Sequence, residues 1–219
     1  MLEKKSQIKA VIFDMDGVLF LSTDCHEEAF RLTLDKKDVP VFVYDDIAGM
    51  RTDEAFRFFY QKNQLPFDEE LIAKLVKEKR KHALRLLGEK GKVAAGTFDL
   101  LQRLSSQYRL VLASSASLGT IELFLSLSKT RDFFDCILDG SMVEHAKPAP
   151  DIYLLAVEKL NLLPEECVVV EDALKGAEAS FRAGIPLIIT TPPDEKARFL
   201  QFKPIMIVSE GQEVGKILL

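Results

Sequence analysis

The sequence has few cysteines, no long apolar segment and no excess of positive charge. Its 3 cysteines, Cys25, Cys136 and Cys167, are widely spaced, with no CxxC pair and no group of histidines nearby, which excludes a zinc site of the usual spacing. Cys136 and Cys167 lie in apolar runs and are expected in the core. No stretch is long enough to span a bilayer, and the apolar run before Asp14 is too short for a signal peptide. We therefore expect a cytoplasmic protein with reduced thiols.

The charge balance is mildly acidic, with 29 Lys and Arg against 34 Asp and Glu and a formal net charge of -5. Sequence-independent binding to nucleic acid or to an anionic membrane relies on a dominant basic field, which this chain lacks. We therefore expect a small-molecule partner, no nucleic acid, no membrane and a monomer. The 219 residues, 47% of them hydrophobic, suffice for one full core with or without an insertion.

Short β-rich apolar runs alternate with helix-like segments over much of the chain. Buried strands that alternate with helices indicate a parallel sheet covered on both faces. We predict an α/β fold with a doubly wound, mainly parallel, Rossmann-like sheet. The runs lie at 8–13, 109–114, 167–171, 185–190 and 205–209, and the helix-like segments include 97–107 and 150–160.

A long helical interval interrupts this alternation after the first strand. The segments 26–37, 52–64 and 68–88 each have helical apolar spacing. Their combined length is too great for one crossover between parallel strands. We predict a helical domain at 22–92, inserted into an α/β core made of residues 1–21 and 93–219.

Charged and hydroxyl side chains follow the predicted strands, at the edge where open α/β sheets bind ligands. Clustered carboxylates need compensating cations or protons, and a hard divalent cation such as Mg²⁺ provides this when the substrate is a phosphate. A basic side chain, a hydroxyl and backbone amides would complete the neutralisation of the phosphate. These groups are Asp14 and Asp16, Ser114, Lys147, and Glu171 with Asp172.

The pair of aspartates suits covalent phosphoryl transfer. Asp14 would attack phosphorus, and Asp16 would give a proton to the leaving oxygen and later take one from water. Gly17 lets the backbone turn tightly enough to present both acids to one substrate. The competing interpretation is two turn-forming acids after a strand.

Four segments in order resemble the motifs of the haloacid dehalogenase-like hydrolases, specifically the β-phosphoglucomutase-like phosphatases and phosphomutases with an inserted helical cap. The resemblance covers nearly the whole chain, and the order and spacing of the motifs are intact. A single DxDG motif is weak evidence for the family, whereas four motifs in the right order are strong evidence. They read "FDMDG", "LASSAS", "KPAPD" and "VVVEDALKG".

The resemblance implies a role for each matched residue of the core. Asp14 would form the aspartyl-phosphate, and Asp16 would be the general acid and base. Ser114 and Lys147 would hold the phosphoryl group. Mg²⁺ would be bound by Asp14, by Asp172 and by the main-chain carbonyl of Asp16, with Glu171 assisting.

In the cap, the resemblance implies substrate-facing roles for His26 and for the segment "GMRTDE", with Gly49, Arg51 and Thr52. Lys81 matches a cap lysine that contacts a distal phosphate in the mutases. A lone histidine near a helix start is equally consistent with a solvent-facing residue or a helix cap. The basic run over 74–92 is typical of a solvated helix face.

The chain departs from the family pattern at three places outside the proposed catalytic groups. It has Leu21 and Ser22 where many relatives have Asp-Ser, Ala95 where the cap returns through Pro-Gly, and Ala173 where Ser is frequent. Leu21 lies at the expected cap hinge.

Three functions remain open from the sequence. A phosphatase passes the phosphoryl group to water, whereas a phosphomutase returns it to a sugar. A receiver-like signalling domain also combines acids, a hydroxyl and a lysine on a doubly wound sheet, but needs neither the insertion nor the second aspartate. We predict a Mg²⁺-dependent phosphatase of a small phosphorylated metabolite, expected to be a sugar phosphate.

Overall fold

A computed structural model describes residues 8–35 and 39–219 of the chain. The first predicted helix of the insertion, 26–37, has its last two residues outside the described residues. None of the described helices combines the length and the apolar character needed to cross a membrane.

The core is a six-stranded sheet in which every neighbouring pair of strands is parallel. The strand order is β5-β4-β1-β6-β7-β8, and a separate two-stranded ribbon is formed by β2 and β3. The predicted doubly wound α/β fold is therefore confirmed. The strands are β1 (Ala10–Phe13), β2 (Phe20–Leu21), β3 (Lys92–Val93), β4 (Arg109–Ala113), β5 (Cys136–Leu138), β6 (Cys167–Glu171), β7 (Leu187–Thr190) and β8 (Met206–Val208).

Strand β1 is central and fully buried. Phe13 is in register with Leu112 of β4 on one side and with Val170 of β6 on the other. Helices cover both faces of the sheet, so a run of consecutive apolar residues is favoured over an alternating one. Because β4, β1 and β6 are adjacent and parallel, the residues that follow them meet at one edge.

Strand β5 was not predicted, because its three residues form a short strand at the edge of the sheet. Cys136, the first of them, is half-buried rather than in the core, because β5 has a strand on only one side. Cys167 begins the inner strand β6 and is buried as predicted.

Among the described residues, three α-helices lie between β2 and β3 and five follow β3. The first three, α1 to α3, form the inserted segment, and α1 and α2 both pack on α3. The helices are α1 (Thr23–Leu34), α2 (Thr52–Lys62), α3 (Glu69–Lys90), α4 (Thr97–Ser105), α5 (Leu118–Ser128), α6 (Asp151–Leu160), α7 (Leu174–Ala183) and α8 (Val214–Leu218).

The inserted segment has an aromatic core of its own. Phe30, Phe56 and Phe59 pack with Ile72 and Leu75 of α3 in a cluster separate from the two that flank the sheet. We call α1 to α3 and their connecting loops the cap. The antiparallel β2–β3 ribbon joins the cap to the core, and the bounds 22 and 92 stay a prediction.

Leu21 is half exposed, at 54%, on the ribbon. The predicted hinge position is thus at the surface, where a leucine meets little packing constraint.

Candidate active site

The turn after β1 places two aspartates at the edge of the sheet. The Asp14 amide donates to the Val170 carbonyl at 3.0 Å, which extends the β1–β6 pairing by one residue. Gly17 then adopts φ +78°, and its amide donates to the Phe20 carbonyl at 2.8 Å. A Cβ at Gly17 would lie 1.8 Å from Asp172 Oδ2, so only glycine fits this turn.

Lys147 is buried between two carboxylates. Its Nζ donates to Asp14 Oδ1 at 2.5 Å, to Glu171 Oε1 at 2.8 Å and to the Ala113 carbonyl at 3.3 Å. Burial by itself would lower the pKa of Lys147, but Asp14 and Glu171 raise it well above its ordinary value. The side chain, 1% exposed, therefore remains an ammonium next to Asp14.

Glu171 is held by four hydrogen bonds. Oε1 accepts from Lys147 and from the Tyr153 hydroxyl at 2.7 Å. Oε2 accepts from the amides of Asp172 and Ala173 at 2.9 and 3.0 Å. Charge-assisted bonds of this kind are stronger than neutral ones, so the carboxylate is a fixed anchor for Lys147.

Three carboxylates, Asp14, Glu171 and Asp172, bring one oxygen each within 4.8 Å of the others. Burial, with Glu171 and Asp16, raises the pKa of Asp14 to about 8 despite the nearby Lys147. Burial together with Glu171 and Asp14 also raises the pKa of Asp172. Burial and the closeness of these carboxylates to one another oppose their ionisation. Such a group suits a hard divalent cation that takes oxygen ligands, such as Mg²⁺.

Asp16 directs its carboxylate toward the cap, away from this acidic group. Oδ1 accepts from the Ser22 hydroxyl at 2.5 Å and lies 3.2 Å from His26 Nε2. Burial raises the pKa of Asp16, but His26 and Ser22 more than offset this and lower it below its ordinary value. The metal role that the resemblance gives to Asp16 concerns its main-chain carbonyl and stays a prediction.

His26 joins Asp16 to a buried lysine of the cap. Its Nδ1 lies 3.0 Å from Lys79 Nζ. Burial and the charge of Lys79 lower the pKa of His26, which favours the neutral imidazole. A neutral imidazole has one donor and one acceptor nitrogen, and the Lys79 ammonium can only donate. Nδ1 therefore accepts from Lys79, and Nε2 donates to Asp16. His26 is buried, so the solvent-facing alternative is wrong.

Lys79, not the predicted Lys81, is the lysine of α3 that lines the cavity next to these acids. Lys81 is exposed on the outer face of α3, whereas Lys79 is 5% exposed and has its Nζ 4.6 Å from the ring centre of Phe30. Lys79 follows Leu75 by four residues and precedes Ala83 by four, on the buried face of α3. Burial lowers the pKa of Lys79 to about 8.

Ser114 is buried at the end of β4 and supports its own loop. Its Oγ accepts from the Ala116 amide at 3.0 Å, and the next helix begins at Leu118. Ser115 donates to the Gly49 carbonyl of the cap at 2.8 Å. Binding of a phosphoryl group by Ser114 stays a prediction.

A cavity of about 70 Å³ lies between the cap and these acids. Gly49 and Thr52 line it, as expected for substrate-facing residues. The Arg51 guanidinium is outside this lining and donates to the carbonyls of Gly140 and Val143, each at 3.0 Å, so its contact with substrate stays a prediction. The remaining lining includes Asp14, Asp16, His26, Phe30, Tyr44, Ile47, Met50, Lys79, Ser115 and Asp172.

Residues 8–184 match the family model for the haloacid dehalogenase-like hydrolases. The chain belongs to this family. The predicted resemblance is thus confirmed, and the acids at the strand ends lie in the family's hydrolase fold.

Two curated members of this hydrolase family illustrate the relationship. A phosphorylated carbohydrates phosphatase of Thermotoga maritima is 33% identical over 83% of this chain and 84% of its own length. Hexitol phosphatase B of Escherichia coli is 29% identical over 86% of each.

Among solved structures, CbbY from Rhodobacter sphaeroides in complex with phosphate is 28% identical. It superimposes with a TM-score of 0.79 over 95% of this chain and 96% of the other. The hydrolase therefore shares its core and cap with a protein that has been seen with phosphate bound.

Proposed function

We propose that this hydrolase is a Mg²⁺-dependent phosphatase of sugar monophosphates that works through an aspartyl-phosphate at Asp14. One observation carries the proposal. Asp14 is fixed 2.5 Å from the buried Lys147 ammonium, and Asp16, two residues on, faces the cap cavity. A nucleophile next to a cation, with an acid and base across the substrate, is the arrangement that phosphoryl transfer needs.

In the first step an Asp14 oxygen bonds to phosphorus while the bond from phosphorus to the leaving oxygen breaks. Asp16 supplies the proton to that oxygen. Its pKa is low in the free protein, and entry of an anionic phosphoryl group adds negative charge that favours protonation. His26 and Ser22 keep the carboxyl oriented toward the reacting oxygen.

In the second step water attacks the aspartyl-phosphate, and the carboxylate of Asp16 accepts the proton from that water. The bond between phosphorus and Asp14 breaks and inorganic phosphate leaves. Lys147 remains beside Asp14 in both steps and balances the negative charge, since Glu171 and Tyr153 keep it in place.

The side chains of Asp14 and Asp172, with the Asp16 carbonyl, would hold Mg²⁺, and Glu171 would assist through Lys147. Bound there, Mg²⁺ supplies charge neutralisation for a phosphate that must approach several carboxylates. The carboxylates of Asp14 and Asp172, which bring one oxygen each within 4.8 Å of the other, support this assignment.

The relatives and the side chains that line the cavity support a sugar phosphate as the substrate. Relatives named for phosphorylated carbohydrates and for hexitol phosphate cover most of this chain. The cavity wall offers Tyr44 and Thr52 hydroxyls, together with the Lys79 and His26 pair, to uncharged hydroxyl groups.

The cavity offers little positive charge for a second phosphate, and this favours hydrolysis over the mutase alternative. A mutase passes through a bisphosphate, whose second phosphate needs a cation of its own. Within the described ranges, Lys79 is the one lysine or arginine that lines the cavity, and it contacts His26. Arg51 is occupied by core carbonyls.

The test is phosphate release from a panel of sugar monophosphates with Mg²⁺, using the wild type and Asp14→Asn. We expect wild-type turnover, none with Asp14→Asn, and unchanged turnover with Asp132→Asn at the surface. Retained turnover in Asp14→Asn would overturn the covalent mechanism.

A second assay separates hydrolysis from phosphoryl return to a sugar. β-Glucose 1-phosphate is incubated with glucose 1,6-bisphosphate as primer, and the products are followed by NMR. Free phosphate supports the phosphatase, and glucose 6-phosphate identifies a mutase. A long-lived phospho-Asp14 without turnover would instead favour signalling.

A further inference from the structure

The N-terminal end of α2, with Arg51 directly before the helix and Glu54 in its first turn, is hydrogen-bonded to the core segment that leads to Lys147. We infer that Arg51 and Glu54 are positioning residues that couple docking of the cap to the placement of Lys147. The inference depends on the proposed function for its catalytic meaning, because there Lys147 stays beside Asp14 and balances the negative charge of the transfer. We call Arg51, Glu54 and the segment 140–146 the clasp.

Arg51 supplies one half of the clasp. Its Nη1 donates to the carbonyls of Gly140 and Val143 at 3.0 Å each, and its Nη2 donates to the Glu144 carbonyl at 3.3 Å. The side chain is 18% exposed. A planar guanidinium that reaches three carbonyls fixes the path of that segment, which a flexible ammonium would not do.

Glu54 supplies the other half. Its Oε1 accepts from the Ala146 amide at 3.0 Å and from Arg51 Nη2 at 3.1 Å. Ala146 directly precedes Lys147, so the cap carboxylate holds the His145–Ala146 peptide, one peptide unit before the one that joins Ala146 to the site lysine. Arg51 and Glu54 therefore bind carbonyls and an amide of the same core segment.

The cap loop before α2 also approaches the core closely at Gly49. With φ +82°, Gly49 would place a Cβ 3.1 Å from that of Ala173, next to Asp172. Its carbonyl accepts from Ser115, in the loop after β4. The cap thus contacts the loops after β4, β5 and β6, and the clasp is the part that acts on Lys147.

If the clasp positions Lys147, the mobility of the backbone at 140–147 depends on whether the cap is docked. When the cap lifts, the amide of Ala146 and three carbonyls lose their side-chain partners together. The segment 140–147 then gains mobility, and Lys147 loses part of its constraint beside Asp14. Closure over a substrate would restore both, so the site would be complete only when the cap is docked.

Hydrogen exchange of the protein without substrate tests the coupling independently of any activity. We expect peptides that cover 140–147 to exchange about tenfold faster in Glu54→Ala and Arg51→Ala, because each loses charge-assisted hydrogen bonds. Glu54→Gln keeps an oxygen for the Ala146 amide and should give an intermediate rate. Strand β6 should be unaffected in all three, which shows that they remain folded.

Arg57→Ala is the matched control. Arg57 also lies on α2, and its ion pairs run to Asp53 and Glu69 of the cap. It should leave exchange at 140–147 unchanged. An equal increase in Arg57→Ala would show general loosening of the cap, and unchanged exchange in Glu54→Ala would remove the coupling; either outcome overturns the inference.

Steady-state kinetics with the panel substrate that is turned over fastest then distinguish a positioning role of Arg51 from a substrate contact. As a positioning residue, its loss in Arg51→Ala should lower kcat and weaken inhibition by orthovanadate, which occupies the phosphoryl position. Arg51→Ala could instead raise KM and leave kcat, inhibition by vanadate and hydrogen exchange at 140–147 unchanged. This result would identify Arg51 as a substrate contact and overturn the inference. If no substrate of the panel is turned over, the proposed function fails, while the exchange result still decides the coupling.

Discussion

Lys79 Nζ lies 3.0 Å from His26 Nδ1, and the other ring nitrogen of His26 lies 3.2 Å from Asp16 Oδ1. A buried lysine of the cap is thereby linked to the proposed acid and base of the core. Burial lowers the pKa of Lys79 to about 8, so its charge is costly for the fold at neutral pH. A costly charge retained beside a reacting group indicates a role in function.

Lys79→Met should change how stability depends on pH. The native pKa of about 8 lies below the unfolded value of 10.5, so the unfolded chain binds more protons between these values. Stability of the wild type therefore rises with pH in this window. Relative to Lys79→Met, the wild-type free energy of unfolding should increase by about 2 kcal/mol from pH 7.5 to 9.5. Urea unfolding at each pH measures this.

The control is Lys81→Met, two residues away on the exposed face of α3. It should show the wild-type pH dependence and normal turnover, whereas Lys79→Met should lose about tenfold or more in kcat/KM, as loss of a charged hydrogen bond implies. Identical pH dependence in wild type and Lys79→Met would contradict the low pKa.

Asp16→Asn should separate the two half-reactions. With acetyl phosphate, whose leaving group needs little protonation, Asp14 should still be phosphorylated. Hydrolysis should slow by about 10²- to 10⁴-fold, because the group that accepts the proton from water is lost. Intact-protein mass spectrometry should then show a phosphorylated species that is absent in the Asp14→Asn, Asp16→Asn double variant. Rapid turnover without accumulation would assign the base elsewhere.

The sheet was predictable because its inner strands are apolar throughout. Ala10 to Phe13 are fully buried on both faces, so their composition alone identifies a central parallel strand. Strand β5 was missed because Cys136 and Ile137 are half-buried at an edge and produce no such run. The order of strands in the sheet depends on long-range pairing that local patterns do not encode.

The core half of the site was predictable because its residues directly follow strands. The cap half depends on helix phase and loop path. The apolar spacing of α3 contained the signal for Lys79, since Leu75 and Ala83 share its face, whereas motif matching selected the exposed Lys81. Nothing local indicated that Glu54 would accept from Ala146, because 92 residues separate them.

Asp172→Asn should relieve like-charge repulsion and remove the response to metal. Burial and the neighbouring Glu171 and Asp14 raise the pKa of Asp172, so its ionised form destabilises the metal-free fold at neutral pH. We expect the metal-free variant to melt a few degrees above the metal-free wild type. Addition of Mg²⁺ should raise the Tm of the wild type only. A variant that Mg²⁺ still stabilises would place the metal elsewhere.

Tyr153→Phe should weaken the anchor of Lys147. The hydroxyl of Tyr153 is buried and donates to Glu171 Oε1 at 2.7 Å, so its loss should cost about 1.5 to 3 kcal/mol of unfolding free energy, the range for a bond to a charged acceptor. Tyr108→Phe is the matched control, because that hydroxyl donates to the neutral Leu218 carbonyl at 2.6 Å, far from the site, and should cost about 1 kcal/mol. Only Tyr153→Phe should lower kcat, since Glu171 then holds Lys147 less firmly beside Asp14. Equal effects of the two substitutions on stability and kcat would show that the Tyr153 hydroxyl only fills the core.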